Sequence, residues 1–279
     1  MNLKILDTGY CQSLEKVAIK GGRLKKIQFP SIVALIKHPK HGLILFDTGY
    51  SNRLFEASKK FPARLYSIIL PPVQSSIYSV VDQLNDIGIK AEEVQYIIVS
   101  HFHADHTCGL KDFPNARLIC SSSAYNHLLS LKNSFEAVKE AILLDLIPDD
   151  LENKVWLIDA DDSIKQTQDE HLGVLYDIFG DNSILINDLP GHLTGQIGAI
   201  INTNNEQYFL IADACWLSDS FKKNILPSSL AKLIISDFDA FKQTLNKIHL
   251  FHKANVLTHI IPTHCRKTVK HHVLETQNL

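Results

Sequence analysis

The stretch VSHFHADHTCGL, Val99 to Leu110, places three histidines and an aspartate within six residues. His101 and His103 are two apart and can converge on one ion, while Asp105 and His106 lie just beyond and can turn toward a second. One short loop can therefore supply half of a two-metal site, and the chemistry of such sites is attack by metal-activated water. Three more candidates stand elsewhere in the chain, each just after an apolar run: His192 after Ile184-Ile186 and Pro190-Gly191, Asp213 after Phe209-Ile211, and His264 after His259-Ile261 and Pro262.

The elements that must position these residues are strands. Tyr96-Val99 reads as a buried strand with His101 at its C-terminal end, the place where α/β proteins build their sites. Similar apolar runs predict strands at Leu3-Leu6, Ile32-Ile36, Leu43-Phe46, Arg117-Cys120, Val155-Ile158, Ile184-Ile186, Tyr208-Ile211 and His259-Ile261. Helical spacing marks Ser76-Ile87, Ser121-Leu131, Ser134-Leu146 and Asp237-His252, the last with Phe238, Phe241, Leu245, Ile248 and Leu250 mostly on one face. His38-Gly42 reads as a hairpin turn, which makes the N-terminal third a β-meander. LILFDTG, Leu43 to Gly49, and FLIADAC, Phe209 to Cys215, resemble each other and hint at an internal duplication. The stretch of about 121–150 is helix-rich; its surplus of apolar residues is expected to pack as core rather than line a substrate wall.

Bulk properties narrow the partners. The chain has 279 residues, with 28 Lys+Arg against 30 Asp+Glu, so no net field draws it to nucleic acid or an anionic membrane. No run reaches the roughly 18 apolar residues of a membrane span, and the N-terminus has no export signal pattern. The five cysteines are scattered without a C-x-x-C, which argues against disulfides and points to a reducing cytoplasm. A small-molecule substrate is expected, and a homodimer is left open. Of the 14 histidines, His38, His41, His127, His171, His271 and His272 sit in polar or terminal contexts and are expected to be solvated.

Taken together, the ordered set resembles the metallo-β-lactamase superfamily, whose HxHxDH signature appears as His101-Phe102-His103-Ala104-Asp105-His106. The family's later histidine, bridging aspartate and final histidine match His192, Asp213 and His264, and the likeness runs from about Leu3 to His264. It implies an α/β fold, a four-layer αβ/βα sandwich of two mixed sheets flanked by helices, in one domain over 1–279 with an insertion at about 121–150. It also implies two divalent ions: His101, His103 and His192 on one, Asp105, His106 and His264 on the other, and Asp213 bridging. Zinc is the expected metal, with Fe, Mn or Co open because nitrogen and oxygen ligands separate these ions poorly. Asp105 gains a second role, steering the hydroxide and carrying its proton to the leaving group. Asp47 in LILFDTG resembles the family's aspartate that supports the metal loop from behind, with turn capping as its alternative.

Within the family, FPSIVALIKHPKHGLILFDTG, Phe29 to Gly49, looks most like the N-acyl-homoserine lactonase branch. That likeness implies hydrolysis of a lactone, with a glyoxalase-II-like thioester hydrolase or an iron-dependent oxidoreductase of the persulfide dioxygenase type as rivals. Two features depart from the branch. The third histidine's flank reads GHLTGQ instead of GHTPGH, and Trp216 stands where the lactonases carry a tyrosine three residues after the bridging aspartate. Indole can donate a hydrogen bond but cannot exchange a proton as phenol does. Trp216, Tyr10 and Tyr50 are therefore the candidate substrate-binding residues. Cys108 and Cys215, close in sequence to ligands, are expected to be small buried thiols.

Overall fold

The structure is a computed structural model that describes residues 1–269. Among the described residues twelve strands form two six-stranded sheets. The first has the order β1(Asn2–Leu14), β2(Lys26–His38), β3(Gly42–Phe46), β4(Val94–Ile98), β5(Arg117–Cys120), β6(Val155–Leu157). The second runs β12(His259–Ile261), β11(Gln207–Leu210), β10(Ile197–Asn202), β9(Ile184–Asp188), β8(Gly173–Asp177), β7(Lys165–Asp169). Both sheets are mixed: β1-β2-β3 is an antiparallel meander, and β3 to β6 pair in parallel. In the second sheet only β11 and β12 are parallel.

Period-2 alternation explains the layering. In β2, Ile32, Ala34 and Ile36 face the core between the sheets, which Ile184, Ile186, Ile197, Ala199 and Ile201 fill from the other side. Val33 and Leu35 face outward, yet they too are buried, against Val80, Leu84, Ala124 and Leu128 of the outer helices. The second sheet turns Leu185, Ile200 and Phe209 outward onto Leu245, Ile248 and Phe251 of the helix Phe238–Ala254. Strands covered on both faces read as unbroken apolar runs, which is why they were visible in the sequence. The result is the expected four-layer sandwich. Among the described residues no helix is long and apolar enough to cross a membrane.

Several boundaries differ from the sequence reading. Ser76-Ile87 is not one helix: Ser79 caps Val80–Asp86 in a reciprocal box with Asp82, and Gln74–Ser76 is a separate 3-10 turn. Ser134-Leu146 breaks after Lys139, where Ala141 adopts φ 55°, and resumes as a 3-10 turn at Leu144–Leu146. On the helix Phe238–Ala254, Leu250 is exposed and Phe251 takes the buried position. The strand β10 (IGAIIN) and the polar hairpin β7-β8 escaped the reading. His38 is buried rather than solvated: its Nδ1 accepts the Lys40 and His41 amides of the hairpin, and its Nε2 meets Ser183 Oγ at 2.9 Å. His271 and His272 lie outside the described residues.

Candidate metal centre

Four strand ends deliver seven side chains to one point. β4 ends at Ile98 and feeds the loop carrying His101 and His103, and a short helix, Ala104–Thr107, then presents Asp105 and His106. Beyond β9 comes His192, beyond β11 Asp213, and beyond β12 His264. Three overlapping groups result, His101-His103-His192, His101-His106-Asp213 and Asp105-His106-His264, each with donor atoms within 4.8 Å of one another. In the first, His103 Nδ1 lies 3.0 Å from His101 Nε2 and 3.1 Å from His192 Nε2. Asp213 joins the groups: Oδ2 is 3.2 Å from His192 Nε2 and 3.0 Å from His264 Nε2, and Oδ1 is 3.3 Å from His106 Nε2. Asp105 Oδ2 is 3.5 Å from His264 Nε2.

The hydrogen bonds on the far side of each ring decide which nitrogen faces the centre. His264 Nδ1–H donates to the Pro30 carbonyl at 2.6 Å. His106 Nδ1–H donates to Asp47 Oδ2 at 2.8 Å, and the Ser100 hydroxyl donates to that same oxygen at 2.8 Å. With its proton spent, Ser100 Oγ can only accept from His101 Nδ1–H, 3.0 Å away. His101, His106 and His264 thus each turn an Nε2 lone pair inward, the arrangement that carboxylates and carbonyls impose on metal-binding histidines.

This donor set fits divalent cations. Ligands held about 2.0–2.1 Å from a tetrahedral ion lie roughly 3.3 Å apart, close to the spacings here. Among the described residues His106 Nε2 and Asp213 Oδ1 are buried without a hydrogen-bond partner, although buried polar atoms almost always have one. Burial and the neighbouring imidazoles push His101 and His103 well below the ordinary histidine range, so both are neutral donors. Burial opposes charge on His106 and His264 too, but Asp213, Asp105 and, for His106, Asp47 outweigh it and raise both. Asp213 is held well below the carboxylate range against its own burial by His264, His192 and His106. The carboxylates demand positive charge at this point, and without metal only protonated imidazole can supply it.

The backbone around the cluster is fixed by residues whose types are explained by contact. Asp47, fully buried with φ 63°, also accepts the Ser100 amide at 2.8 Å. Thr48 and its hydroxyl bind the His106 carbonyl at 2.8 and 2.9 Å. Gly49 is required because a Cβ there would stand 2.2 Å from Thr8 Oγ1. Gly191, at φ 127°, lets the loop press on Phe241, and the amides of Ser236 and Asp237 hold the carbonyls of His192 and Gly191. The altered GHLTGQ flank is closed by Gln196, whose amide donates to Leu189 O at 3.0 Å.

A cavity of about 440 Å³ opens on the cluster, with His103, Asp105, His192, Asp213 and His264 in its floor. Its walls are mostly apolar, from Val17, Phe29, Leu70, Leu193 and the segment Leu233 to Ile235. Trp216 lines it as well, but its indole N–H donates to Asp213 Oδ2 at 3.0 Å and its ring meets His192 edge-on. Tyr50 lines it from a buried position; Tyr10 does not line it and packs beneath the Arg266 guanidinium. Cys108 and Cys215 are buried thiols whose burial pushes their pKa up, and neither belongs to the three donor groups.

The sequence reading missed several cavity residues. Tyr66 sits on a helix that carried no motif. His127, assigned to solvent, lines the cavity and pairs with Glu140 at 2.7 Å. From the 121–150 region, Leu128, Ala137, Ile142, Leu143 and Leu146 are core. That region nonetheless reaches the site, since the Ala104 amide donates to Ala141 O at 3.0 Å.

Fold and donor set together define a metallo-hydrolase. The chain belongs to the metallo-beta-lactamase superfamily, whose family model matches residues 28–198. It is 28% identical over 260 residues to an N-acyl homoserine lactonase, AttM, of Rhizobium radiobacter, covering 92% of each chain. It is 24% identical over 210 residues to an N-acyl homoserine lactonase of Bacillus cereus, covering 75% of this chain and 74% of that one. A solved structure of a B. thuringiensis AiiA variant with N-decanoyl-L-homoserine at its active site superposes with TM-score 0.69 at 18% identity, over 97% of both chains. AidC, a dizinc quorum-quenching lactonase, superposes with TM-score 0.64 at 17% identity, over 95% of this chain and 87% of that one.

Proposed function

We propose that the protein hydrolyses a lactone, of the N-acyl-homoserine lactone class, at a dinuclear metal centre. His101, His103 and His192 would hold one ion, Asp105, His106 and His264 the other, and Asp213 both. Zinc is the expected metal. When bound, such ions lower the pKa of water toward about 7 and polarise a carbonyl. The protein's own part is to orient. Asp47, Ser100 and Pro30 O set the tautomers of the ring donors. Trp216 steadies Asp213. The Asp105 carboxylate, in the cavity floor, stands where a proton must pass between water and leaving group. The apolar wall of Val17, Phe29 and Leu233 to Ile235 suits an acyl chain, and exclusion of water there strengthens every electrostatic contact beside it.

The observation that carries this reading is the cavity, roughly of ligand size and apolar along its walls, with the cluster for its floor. The lactonase relatives that cover nearly the whole chain agree with it. One domain over 1–279, with 121–150 as an insertion, is consistent with the inter-sheet core to which both halves contribute. Five unpaired, buried cysteines accord with a reducing compartment such as the cytoplasm. The test is metal analysis of the purified protein joined to a panel of acyl-homoserine lactones, aryl esters, thioesters and a β-lactam. Lactone opening that collapses in His106→Ala and Asp213→Ala is expected. Undiminished activity in either variant would sink the two-metal proposal, and rapid thioester cleavage without lactone opening would move the substrate class.

A further inference from the structure

A net charge of -2 over the whole chain draws it to no anionic surface, but the cations are unevenly spread. Residues 15–26 hold Lys16, Lys20, Arg23, Lys25 and Lys26 against Glu15 alone, and residues 59–64 hold Lys59, Lys60 and Arg64 with no acid. Glu15 is taken by Arg23, and Glu56, just ahead of the second segment, by Lys59. The remaining cations of both segments are exposed.

Both segments also expose a large apolar side chain among those cations, and a third segment repeats the pattern. Leu24, between Arg23 and Lys25, is 76% exposed; Phe61, after Lys60, is 70% exposed; and Leu233, after Lys232, is 85% exposed. A lone exposed leucine means little, but these three residues border one opening. Leu233 itself lines the cavity above the metal-binding cluster. Leu24 sits on a turn in which the Arg23 and Lys25 carbonyls accept the Lys16 and Glu15 amides, beside Val17 of the cavity wall. Val17 O in turn accepts the amide of Ser228, on the segment that leads to Leu233. Phe61 precedes the helix Arg64–Ile69, whose Ile68 and Ile69 are exposed and after which Leu70 lines the cavity. The Phe61 ring meets that of Phe135, which lies beneath the ammonium of Lys139, another lining residue.

We propose that this rim seats the protein on an anionic bilayer, with Leu24, Phe61 and Leu233 entering the interface, the neighbouring cations on lipid phosphates, and the cavity mouth facing the lipid. An apolar tip set among cations gains from both parts of interfacial binding, burial of the side chain and attraction to anionic headgroups. A second copy of the chain suits this face less well, because a two-fold interface sets a patch against itself and would bring the cations together. Seated in this way, the mouth receives an acyl chain directly from the bilayer, where such chains partition, and water is never crossed. That route rests on the lactonase reading above; the docking does not.

The test is co-sedimentation of the full chain with vesicles of phosphatidylcholine alone and of phosphatidylcholine mixed with phosphatidylglycerol. Binding to the anionic vesicles, little to the neutral ones, and release in about 1 M salt, where the Debye length is about 3 Å, are expected. Lys25→Gln with Lys60→Gln should weaken binding about 25-fold, roughly fivefold per cation. Leu24→Ser with Phe61→Ser should weaken it about tenfold or more. None of these four side chains lines the cavity, so both variants should keep wild-type kcat/KM on N-butanoyl-homoserine lactone in water. On N-dodecanoyl-homoserine lactone carried in anionic vesicles, both should fall behind wild type. Equal binding to the two vesicle types, no binding to either, or binding unchanged in both variants would overturn the proposal. So would a wild-type dimer in solution that Leu24→Ser with Phe61→Ser dissolves. Vesicle binding without turnover of any lactone would uphold the docking and remove the lactonase reading; lactone turnover without vesicle binding would do the reverse.

Discussion

Asp47→Asn replaces one carboxylate oxygen with an amide nitrogen and tests how the centre is held from behind. In the native protein Asp47 Oδ1 accepts the Ser100 amide, and Oδ2 accepts both the Ser100 hydroxyl and His106 Nδ1–H. Asparagine keeps the shape but has only one acceptor. With its oxygen toward the Ser100 amide, its NH₂ faces His106, whose ring must then accept at Nδ1 and carry its proton on Nε2. That proton would occupy the lone pair now aimed at Asp213 Oδ1, 3.3 Å away. Flipping the amide spares His106 but sets NH₂ against a buried backbone N–H, which costs about 1–3 kcal/mol. In the first orientation His106 is lost as a ligand, and in the second the loop that carries it loses the anchor at the Ser100 amide. Loss of such a supporting carboxylate lowers metal affinity about 10–100-fold, equivalent to roughly 1.4–2.8 kcal/mol of binding. Chelator competition on the metal-free protein, resolved for two ions, reads this directly. The His106 ion should weaken and the His101-His103-His192 ion should hold. Two ions bound by Asp47→Asn with wild-type affinity would refute the tautomer argument.

Three further outcomes follow from single contacts. Trp216→Phe keeps the ring against His192 but removes the only indole donor to Asp213, and should lower kcat/KM about tenfold, in the range for lost supporting hydrogen bonds to a ligand. Gly49→Ala forces a Cβ to within 2.2 Å of Thr8 Oγ1 at φ 60°, and should destabilise by about 2 kcal/mol or more in urea unfolding. His38 is held below its ordinary value of 6.5 by burial and by His41. The unfolded chain therefore binds this proton more readily, so the stability His38 permits is fully present above pH 6.5 and is lost as pH falls below it. His38→Asn, which retains an acceptor for the Lys40 and His41 amides, should flatten that slope, as read from urea midpoints across the interval.

The parts of the fold legible in the sequence are those that bury both faces. Val33 to Ile36 and Ile97 to Val99 read as strands because covered sheets tolerate no polar alternation. KQTQD at β7 carries no apolar signal and becomes a strand only by pairing with β8. The seven clustered side chains were legible because histidines and aspartates at short spacing and just beyond strand ends stand out by residue type, and the structure brings them together. Tyr66 was not, since its helix carries no motif and only packing in one cluster with Ala104 brings it to the cavity wall. His127 escaped for the same reason: a histidine between polar residues looks solvated until Glu140 and the cavity are seen beside it.

The hint of duplication in LILFDTG and FLIADAC becomes physical when the sheets are compared. β1-β2-β3-β4 and β9-β10-β11-β12 share one pairing sequence, antiparallel, antiparallel, parallel. In each the parallel strand ends in a matching segment, IIVSH at Ile97-His101 and IIPTH at Ile260-His264, so a histidine stands three residues beyond Ile98 and Ile261 alike. The ladders, however, set Phe46 opposite Ile98 and Leu210 opposite Ile261. The Asp47 amide bonds Ile98 O just as the Ile211 amide bonds Ile261 O, so Asp47 corresponds to Ile211 and Asp213 lies two residues further out. That offset divides their work. In the first half Asp47 must take the Ser100 amide, but in the second the Ala212 carbonyl takes the equivalent Thr263 amide at 3.1 Å. Asp213 is thereby freed from holding the loop, and the left-handed turn at Ala212, φ 45°, carries its carboxylate over the sheet end to the centre of the cluster.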